Sequence, residues 1–261
     1  MKMSMVWILA VLLTVCLVAC TASDGTGAKR SVTGDPDYPD LAQARLPQKD
    51  EKIAVIETNF GTMKILFFPE KAPKAVENFL SLAEKGYYNN TISHRIITDF
   101  MMQAGDPTGT GTGGESIWGG KFETELPEGL YHIRGAVAMA RTSEMNTNGS
   151  QFYIVPGGTS PFDQVKNGTD WELYGYSGNQ IDEAVKNYLK NQCGLDEGTE
   201  RYRLYDDFGG AYWLDGQYTV FGQVFEGLDV LDRIMDAAAT SSGTPKTTVR
   251  LIKVTVETYA G

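Results

Sequence analysis

The chain has 261 residues, a formal net charge of −10 and 42% hydrophobic residues. This apolar content is enough for a packed core, and the acidic balance argues against a nucleic-acid-binding protein, which needs a basic surface to contact phosphates. Three cysteines exclude a disulfide-stapled scaffold, and two histidines without CxxC or HExxH spacing argue against a metal centre.

The first twenty residues have the features of an export signal. Lys2 is followed by an uncharged stretch over residues 5–19, which has the length of a signal segment rather than of a full membrane span. The stretch ends in LVAC at Cys20, which resembles a bacterial lipobox. The resemblance implies that 1–19 is a signal peptide and that Cys20, lipidated with palmitate, anchors the protein on the extracytoplasmic side of the cell membrane. An uncleaved N-terminal anchor helix is the alternative.

Residues 21–50 are rich in Gly, Ser, Thr, Asp and Pro, and they show neither helical nor strand periodicity. Together with the lipidated cysteine they predict a segment 20–50 that tethers a domain flexibly to the membrane. The alternative is a folded extension that packs on the domain. The globular domain is predicted to cover 51–261.

The globular part begins with a β-hairpin, in which strands at 53–58 and 63–68 flank the turn Gly61-Thr62. A helix over 72–86 follows, with Pro73 in its first turn and an apolar face. Further short strands are predicted at 92–97, 100–103, 135–140, 151–155, 218–224 and 248–257, and a second helix at 227–237. Many short strands with two core helices predict a closed β-barrel or sandwich rather than an alternating α/β sheet.

Four motifs carry the functional signal. They are HRII-x-x-F-x-x-Q-x-GD from His94, GTG-x-GG-x-S-I-x-G from Gly109, NTNGSQF from Asn146 and WLDG-x-x-x-VFG from Trp213. In this order and spacing they resemble the cyclophilin family of peptidyl-prolyl cis-trans isomerases, over residues from about 52 to 259 apart from one insertion. The resemblance implies an all-β fold, a closed eight-stranded antiparallel barrel capped by two helices. It also implies a monomer that needs no cofactor.

The implied reaction is rotation about the peptide bond before proline. Its barrier of about 18–20 kcal/mol comes from amide resonance. In the twisted amide the prolyl nitrogen has a localised lone pair, so a guanidinium held near that nitrogen stabilises the transition state more than the ground state. By resemblance, Arg95 supplies the guanidinium and Gln103 supports it, as the expected catalytic residues. The expected substrate-binding residues are His94, Phe100, Met101, Ala140, Arg141, Gln151, Tyr153, Trp213, Leu214 and Tyr218.

The resemblance also predicts partners and departures from the family. Proline-containing polypeptides, exported or at the cell surface, are the expected substrates, and Trp213 accompanies cyclosporin sensitivity in the family, so this drug is expected to bind. Tyr153 and Ser93 both stand where relatives have Phe. The Tyr153 hydroxyl must therefore find a partner or water, and Ser93 predicts looser packing behind Arg95. A proline-peptide-binding or chaperone module with little catalysis is the alternative function.

Residues 157–211 depart from the compact family pattern. The segment is polar, acidic and rich in tyrosine, and it predicts one amphipathic helix over 181–189. It ends just before Trp213 and should lie near the site. Two interpretations stay open, namely a surface excursion without a role in activity and a flap or partner surface that selects substrates.

Overall fold

The computed structural model describes residues 30–261. The expected signal peptide, Cys20 and the first part of the expected tether lie outside the described residues. Between residues 30 and 261 no helix is both long enough and apolar enough to cross a bilayer.

Nine short strands between residues 30 and 261 form one curled antiparallel sheet. They are β1 (Lys52–Thr58), β2 (Gly61–Phe67), β3 (Thr91–Ile92), β4 (Arg95–Ile97), β5 (Met101–Ala104), β6 (Ala136–Met139), β7 (Phe152–Ile154), β8 (Val220–Glu226) and β9 (Arg250–Thr258). Their order in the sheet is β3-β9-β1-β2-β8-β6-β7-β5-β4. The predicted fold class, an antiparallel all-β barrel of the cyclophilin type, is confirmed, although the number of strands differs from eight.

The two end strands of the sheet are neighbours in the chain, which explains the extra strand. β3 pairs with β9, and β4 pairs with β5. Only Ser93 and His94 separate β3 from β4, so the stretch of residues 91–97 changes its pairing partner halfway along. If this stretch is counted as one strand, the sheet has the eight strands that were expected.

Five α-helices accompany the sheet in the described residues. They are α1 (Pro73–Glu84), α2 (Pro161–Gly168), α3 (Asn179–Cys193), α4 (Glu200–Phe208) and α5 (Leu228–Ala238). The two predicted core helices correspond to α1 and α5, and both predictions are confirmed. Phe79 of α1 and Ile234 of α5 are fully buried in one hydrophobic core with Phe221 of β8. These helices therefore close the barrel core, as amphipathic helices do when they bury their apolar face.

The insertion contains more helix than the sequence predicted. The single helix expected over 181–189 lies within α3, whereas α2 and α4 were not predicted. Both missed helices carry a local start signal. The Ser160 hydroxyl accepts a hydrogen bond from the backbone N–H of Asp163 at the start of α2, and the Thr199 hydroxyl accepts one from Tyr202 at the start of α4. Such side-chain caps satisfy backbone N–H groups that have no partner within the helix.

The prediction of a flexible tether is wrong for residues 30–50, which are folded against the insertion and the barrel. Val32, Tyr38 and Leu41 are buried in a second hydrophobic core together with residues of α3 and α4. Gln43 is fully buried, and its amide donates to the Tyr131 carbonyl over 3.0 Å and to Gln223 Oε1 over 2.9 Å. The alternative of a folded extension is correct for this part. Turns separate its few apolar residues, so the segment shows no periodicity.

Candidate active site

Alternation along the strands separates the core from the candidate site. Met102 and Ala104 of β5, with Phe152 and Ile154 of β7, face the barrel core. The residues between them point to the other face, since successive side chains of a strand alternate. Met101, Gln103 and Tyr153 therefore lie together on the face that carries the site, and Gln103 pairs directly with Tyr153 across β5 and β7.

Arg95 and Gln103 are also direct partners, across β4 and β5. Arg95 Nη1 donates a hydrogen bond to Gln103 Oε1 over 3.2 Å. Arg95 is exposed, and its guanidinium carbon lies 5.8 Å from the ring centre of Phe100. The guanidinium is thus held at one edge by Gln103 and keeps further N–H donors, of the five that an arginine has, for another acceptor.

Gln103 is in turn fixed by a second glutamine. Gln103 Nε2 donates to Gln151 Oε1 over 2.8 Å. Gln151 Nε2 donates to the carbonyl oxygens of Gly111 over 3.1 Å and Gly113 over 2.8 Å. These bonds determine which end of each amide is oxygen and which is nitrogen. These hydrogen bonds form a relay that runs from the glycine-rich loop through Gln151 to Gln103. The relay orients the Gln103 oxygen toward Arg95.

Asp106 organises the glycine-rich loop at the far end of this relay. Its buried carboxylate accepts hydrogen bonds from the backbone N–H groups of Thr108, Gly111 and Gly113. Burial raises the pKa of Asp106, but the hydrogen bonds from Thr108, Gly113 and Gly111 outweigh it and lower the pKa to about 2. A Cβ atom at Gly113 would lie 2.5 Å from Asp106 Oδ1, so the loop can approach the carboxylate only with glycine there.

Acid is expected to destabilise the protein through this carboxylate. The folded pKa of about 2 lies below the usual value of 3.8, so the stabilisation is fully present above about pH 4 and is lost as pH falls through 2. Asp106→Asn is expected to lower the free energy of unfolding at pH 7 by about 2 kcal/mol and to flatten the pH dependence between pH 4 and 2. Urea unfolding at pH 2, 4 and 7 measures both effects. Asp40 is exposed, so Asp40→Asn is the control. If Asp106→Asn and the unsubstituted protein lost equal free energy of unfolding between pH 4 and 2, the role of Asp106 would be contradicted.

A cavity of about 80 Å³ lies beside the Arg95 guanidinium. Its size suits one small ring. Six of its nine lining residues are apolar or aromatic, and Arg95, Gln103 and Arg141 add polar groups. The lining consists of Arg95, Phe100, Met101, Gln103, Ala140, Arg141, Tyr153, Leu214 and Tyr218. The structure therefore brings nine of the twelve predicted site residues to one cavity.

A groove of about 410 Å³ adjoins one wall of this cavity, at Gln103, Ala140 and Arg141. It also contains Gln151, a tenth predicted residue. The Arg141 side chain is engaged elsewhere, because its Nη2 donates to the Gln217 carbonyl over 2.9 Å and its guanidinium covers the Tyr218 ring. These contacts hold the Arg141 side chain in place, and a backbone role for Arg141 in the groove stays a prediction.

Trp213 lies beside the small cavity without lining it. Its ring centre is 5.7 Å from that of Phe100 and 5.1 Å from that of Tyr212. The side chain is 41% exposed. Trp213 therefore packs against Phe100 and presents an exposed aromatic surface beside the cavity.

His94 is placed away from the cavity, although it was predicted as a substrate-binding residue. It is half-buried, and a Cβ atom on Gly111 would lie 3.0 Å from its Cδ2. Burial lowers the pKa of His94. Its position supports the glycine-rich loop.

The expected loose packing behind Arg95 is not found, because Ser93 is buried and its hydroxyl donates to the Gln103 carbonyl over 2.8 Å.

Tyr153 carries a buried hydroxyl that has no hydrogen-bond partner among the described residues. Its ring, 4% exposed, stacks on His132 with centres 6.0 Å apart. Burial raises the pKa of Tyr153 well above its usual value. The floor of the cavity thus contains a polar atom for which the protein offers no donor or acceptor.

Tyr153→Phe is expected to raise the free energy of unfolding by about 1–3 kcal/mol, because it removes a buried hydroxyl without a protein partner. Urea unfolding measures the change. Tyr174→Phe is the control, since this side chain is 71% exposed and should change little. A lower stability of Tyr153→Phe would mean that the hydroxyl makes a hydrogen bond in solution, against this account.

One network near the site escaped the sequence analysis. Asp215 follows the cavity residue Leu214, and its Oδ1 accepts from the Tyr205 hydroxyl over 2.7 Å and lies 3.0 Å from His132 Nδ1. Arg201 donates to Asp215 Oδ2 from Nε over 3.1 Å and from Nη2 over 2.9 Å. Burial raises the pKa of Asp215, but the hydrogen bonds from His132 and Tyr205 outweigh it and lower the pKa. Asp215 stands in a quoted motif, whereas Tyr205 and Arg201 belong to α4 and had no sequence signal.

Comparison with known proteins agrees with this geometry. The family model "Cyclophilin type peptidyl-prolyl cis-trans isomerase/CLD" matches residues 53–256. A Staphylococcus haemolyticus protein named for this isomerase activity is 38% identical over 223 residues, which cover 85% of this chain and 98% of that protein. A Streptococcus pyogenes protein named as a bifunctional phosphatase and peptidyl-prolyl isomerase is 40% identical over 78% of this chain and 38% of its own length.

The solved structures include a cyclophilin-type isomerase of Cryptosporidium parvum, crystallised in the presence of the dipeptide Ala-Pro. It is 29% identical, with a TM-score of 0.57, and the match covers 79% of this chain and 99% of that one. The curled sheet, the motifs and the match over residues 53–256 lead to one conclusion. This chain belongs to the cyclophilin-type peptidyl-prolyl cis-trans isomerases.

Proposed function

We propose that Arg95 performs the isomerisation by binding the twisted amide of an Xaa-Pro bond whose proline ring occupies the 80 Å³ cavity. The observation that carries this proposal is an exposed guanidinium, held by Gln103 at the edge of a small apolar cavity. A proline ring is apolar and small. The amide nitrogen whose lone pair becomes localised in the twisted amide belongs to that ring. A substrate bound in this way has its prolyl nitrogen next to the guanidinium.

The relay behind Arg95 accounts for selective binding of the transition state. The planar amide delocalises the nitrogen lone pair and offers no acceptor there, whereas the twisted amide does. Arg95 therefore gains a hydrogen bond only as the bond twists, which lowers the barrier. Because Gln103 and Gln151 already fix the guanidinium, little reorganisation accompanies the reaction. The residue before proline then lies in the groove beside Ala140 and Gln151.

Exchange NMR on a peptide with an Ala-Pro core tests this proposal. The two isomers of such a peptide interconvert over tens to hundreds of seconds without a catalyst, by the usual rate for Xaa-Pro bonds. Catalytic amounts of the protein are expected to produce exchange cross-peaks between them. Peptide binding without faster exchange would overturn the assigned mechanism and favour a binding module instead.

We propose further that the protein works on exported or cell-surface polypeptides, held to the membrane by lipid on Cys20. The support is the lipobox-like end of an apolar segment at residues 17–20. Folded structure is already present at Val32, twelve residues after Cys20, and an extended chain of that length spans at most about 43 Å. The maximal distance between the membrane and the folded domain would then be shorter than with a flexible tether that extends to residue 50.

Labelling of bacterial cells with radioactive palmitate tests the anchor. The full chain is expected to take up label and to sediment with membranes, and Cys20→Ser is expected to lose both properties. An unlabelled chain that still sediments with membranes would favour the uncleaved anchor helix.

We also propose that the site binds cyclosporin, on the support of the exposed Trp213 ring beside Phe100. Calorimetry with micromolar drug is expected to show binding, which Trp213→Ala should weaken. The absence of binding by the unsubstituted protein would refute the proposal.

A further inference from the structure

Two more cavities lie between the 80 Å³ cavity, which we call the proline cavity, and the insertion. The first, of about 670 Å³, lies between the turn that joins β4 to β5 and the helices of the insertion. Phe100 lines both this cavity and the proline cavity. The second, of about 480 Å³, lies along α3 next to Trp171 and Tyr176. Tyr188 lines both the first and the second.

Each cavity is the neighbour of the next, and we call the 670 Å³ and 480 Å³ cavities together the insertion trough. The row runs from Phe100 and Trp213 at the proline cavity, past Tyr212 and Tyr188, to Trp171 on the insertion. A polypeptide seated in the proline cavity therefore has further cavities beside it along the insertion.

The lining of the trough suits an extended peptide. Aromatic rings supply apolar contact area, and side-chain amides can donate to peptide carbonyls and accept from peptide N–H groups. The trough residues that carry amides are Asn167, Gln180, Asn187, Asn191 and Gln192, besides Gln164, whose amide nitrogen already donates to the Thr159 and Gly210 carbonyls. Because these contacts recognise backbone rather than one fixed sequence, they fit an unfolded segment.

The charge of the trough selects among such segments. Asp99, Asp163 and Glu183 line it, and none of them forms an ion pair with a lysine or arginine of the described residues. The lysines of α2 and α3 are engaged with other acids, in the pairs Lys166–Asp182, Lys186–Glu197 and Lys190–Asp196. The lining is therefore negative, and it attracts a basic ligand.

One wall of the trough belongs to the turn that also lines the proline cavity. Arg201 and Tyr205 of α4 bind Asp215, which directly follows the cavity residue Leu214. Tyr212 and Trp213, which line the trough, belong to the same turn of the chain as Leu214. The insertion is thus attached through α4 to the turn that carries Leu214. Little ordering of this turn is needed when a peptide binds.

The position of the trough indicates which part of a substrate it meets. The 410 Å³ groove adjoins the cavity at Gln103 and Ala140, whereas the trough adjoins it at Phe100. A peptide that enters along the groove with the residue before proline must leave the cavity along another wall. The residues after proline then run into the trough.

We propose that the insertion trough binds the segment that follows the proline of a polypeptide substrate, and that it favours unfolded segments with basic and aromatic residues. This inference rests on the proposed function, which sets the direction of the peptide. It assigns to residues 157–211 the selection of substrates among Xaa-Pro sequences.

Three peptides with one Ala-Pro core test the trough. The first ends one residue after proline. The second continues for eight further residues that include two lysines and a phenylalanine, and the third has glutamates in place of the lysines. Fluorescence anisotropy measures their dissociation constants, and exchange NMR measures their isomerisation. The lysine peptide is expected to bind the full chain at least 10-fold more tightly than the short and glutamate peptides.

Matched variants locate the effect. Tyr188→Ser and the pair Asp99→Asn with Asp163→Asn are expected to reduce the preference for the lysine peptide to under 3-fold, with unchanged affinity for the short one. Tyr174→Ser controls for the loss of an exposed tyrosine outside the trough, and Glu57→Gln with Glu70→Gln controls for net charge. Equal affinities for all three peptides, or an equal loss in the controls, would overturn the proposal.

The two proposals can fail separately. Faster exchange of the short peptide without a preference for the lysine peptide supports the Arg95 mechanism and refutes the trough. A preference that depends on Tyr188, without faster exchange of any peptide, supports the trough and refutes the Arg95 mechanism.

Discussion

Replacement of Arg95 by alanine is expected to lower kcat/KM for Xaa-Pro isomerisation by about 10²–10³-fold, as the loss of one fixed donor to a transition state does. The side chain is exposed and makes one hydrogen bond, to Gln103, so the fold should survive. Peptide affinity is expected to change far less than the rate, because the planar amide offers no acceptor to the guanidinium. Exchange NMR on the Ala-Pro core peptide gives the rate, and anisotropy gives the affinity.

Two further variants make this experiment specific. Arg95→Lys keeps the charge but places a single ammonium on a flexible stem, so it is expected to recover only a small part of the rate. Arg233→Ala removes an exposed arginine of α5 that bonds Asp229 and the Phe60 carbonyl, and it should leave the rate unchanged. A full rate in Arg95→Ala, or an equal loss in Arg233→Ala, would contradict the role of Arg95.

Replacement of Asp215 by alanine is expected to lower the free energy of unfolding by about 3–5 kcal/mol, the range seen when one partner of a buried ion pair is removed. The carboxylate is nearly buried and accepts hydrogen bonds from the Arg201 guanidinium, the Tyr205 hydroxyl and the backbone N–H of His132. Without it these donors lose their acceptor, and the turn that holds Leu214 loses its attachment to α4. Urea unfolding measures the loss.

A matched carboxylate provides the control. Asp229 pairs with Arg233 one helical turn away, but its side chain is 73% exposed, so Asp229→Ala should cost less than about 1 kcal/mol. Asp215→Ala is also expected to raise KM for the Ala-Pro core peptide more than it lowers kcat, since Leu214 shapes the cavity and does not touch the twisting nitrogen. Equal stabilities of the two variants would show that the network around Asp215 is dispensable.

The same contacts show that the insertion is packed into the molecule and is not attached at its two ends only. α3 and α4 share a hydrophobic core with Val32 and Tyr38, and α4 binds Asp215 beside the cavity. Residues 157–211 are therefore a structural part of the molecule, with cavities next to the 80 Å³ cavity. That they select substrates stays a prediction, which the peptide experiments test.

Local patterns in the sequence determined the barrel and much of the candidate site. Proline at the first position and regular apolar spacing predict α1, and short apolar runs between glycine-rich turns predict strands such as β6. The motifs identify Arg95, Gln103 and the cavity residues through their resemblance to the cyclophilin family. Arg95 and Gln103 lie on β4 and β5, which are neighbours in the chain, so the pairing that brings these two side chains together is local.

Tertiary structure alone decided what residues 30–50 and the insertion do. Tyr38 donates to Asp207, and Gln43 donates to Gln223, across 169 and 180 residues of chain. Neither segment has a sequence pattern that indicates which residues it will contact, and each has too few apolar residues to form a core alone. Their structure exists because they bury one another. The orientation of Arg95 also depends on such contacts, since it is set through Gln103 by Gln151, 48 residues further along the chain.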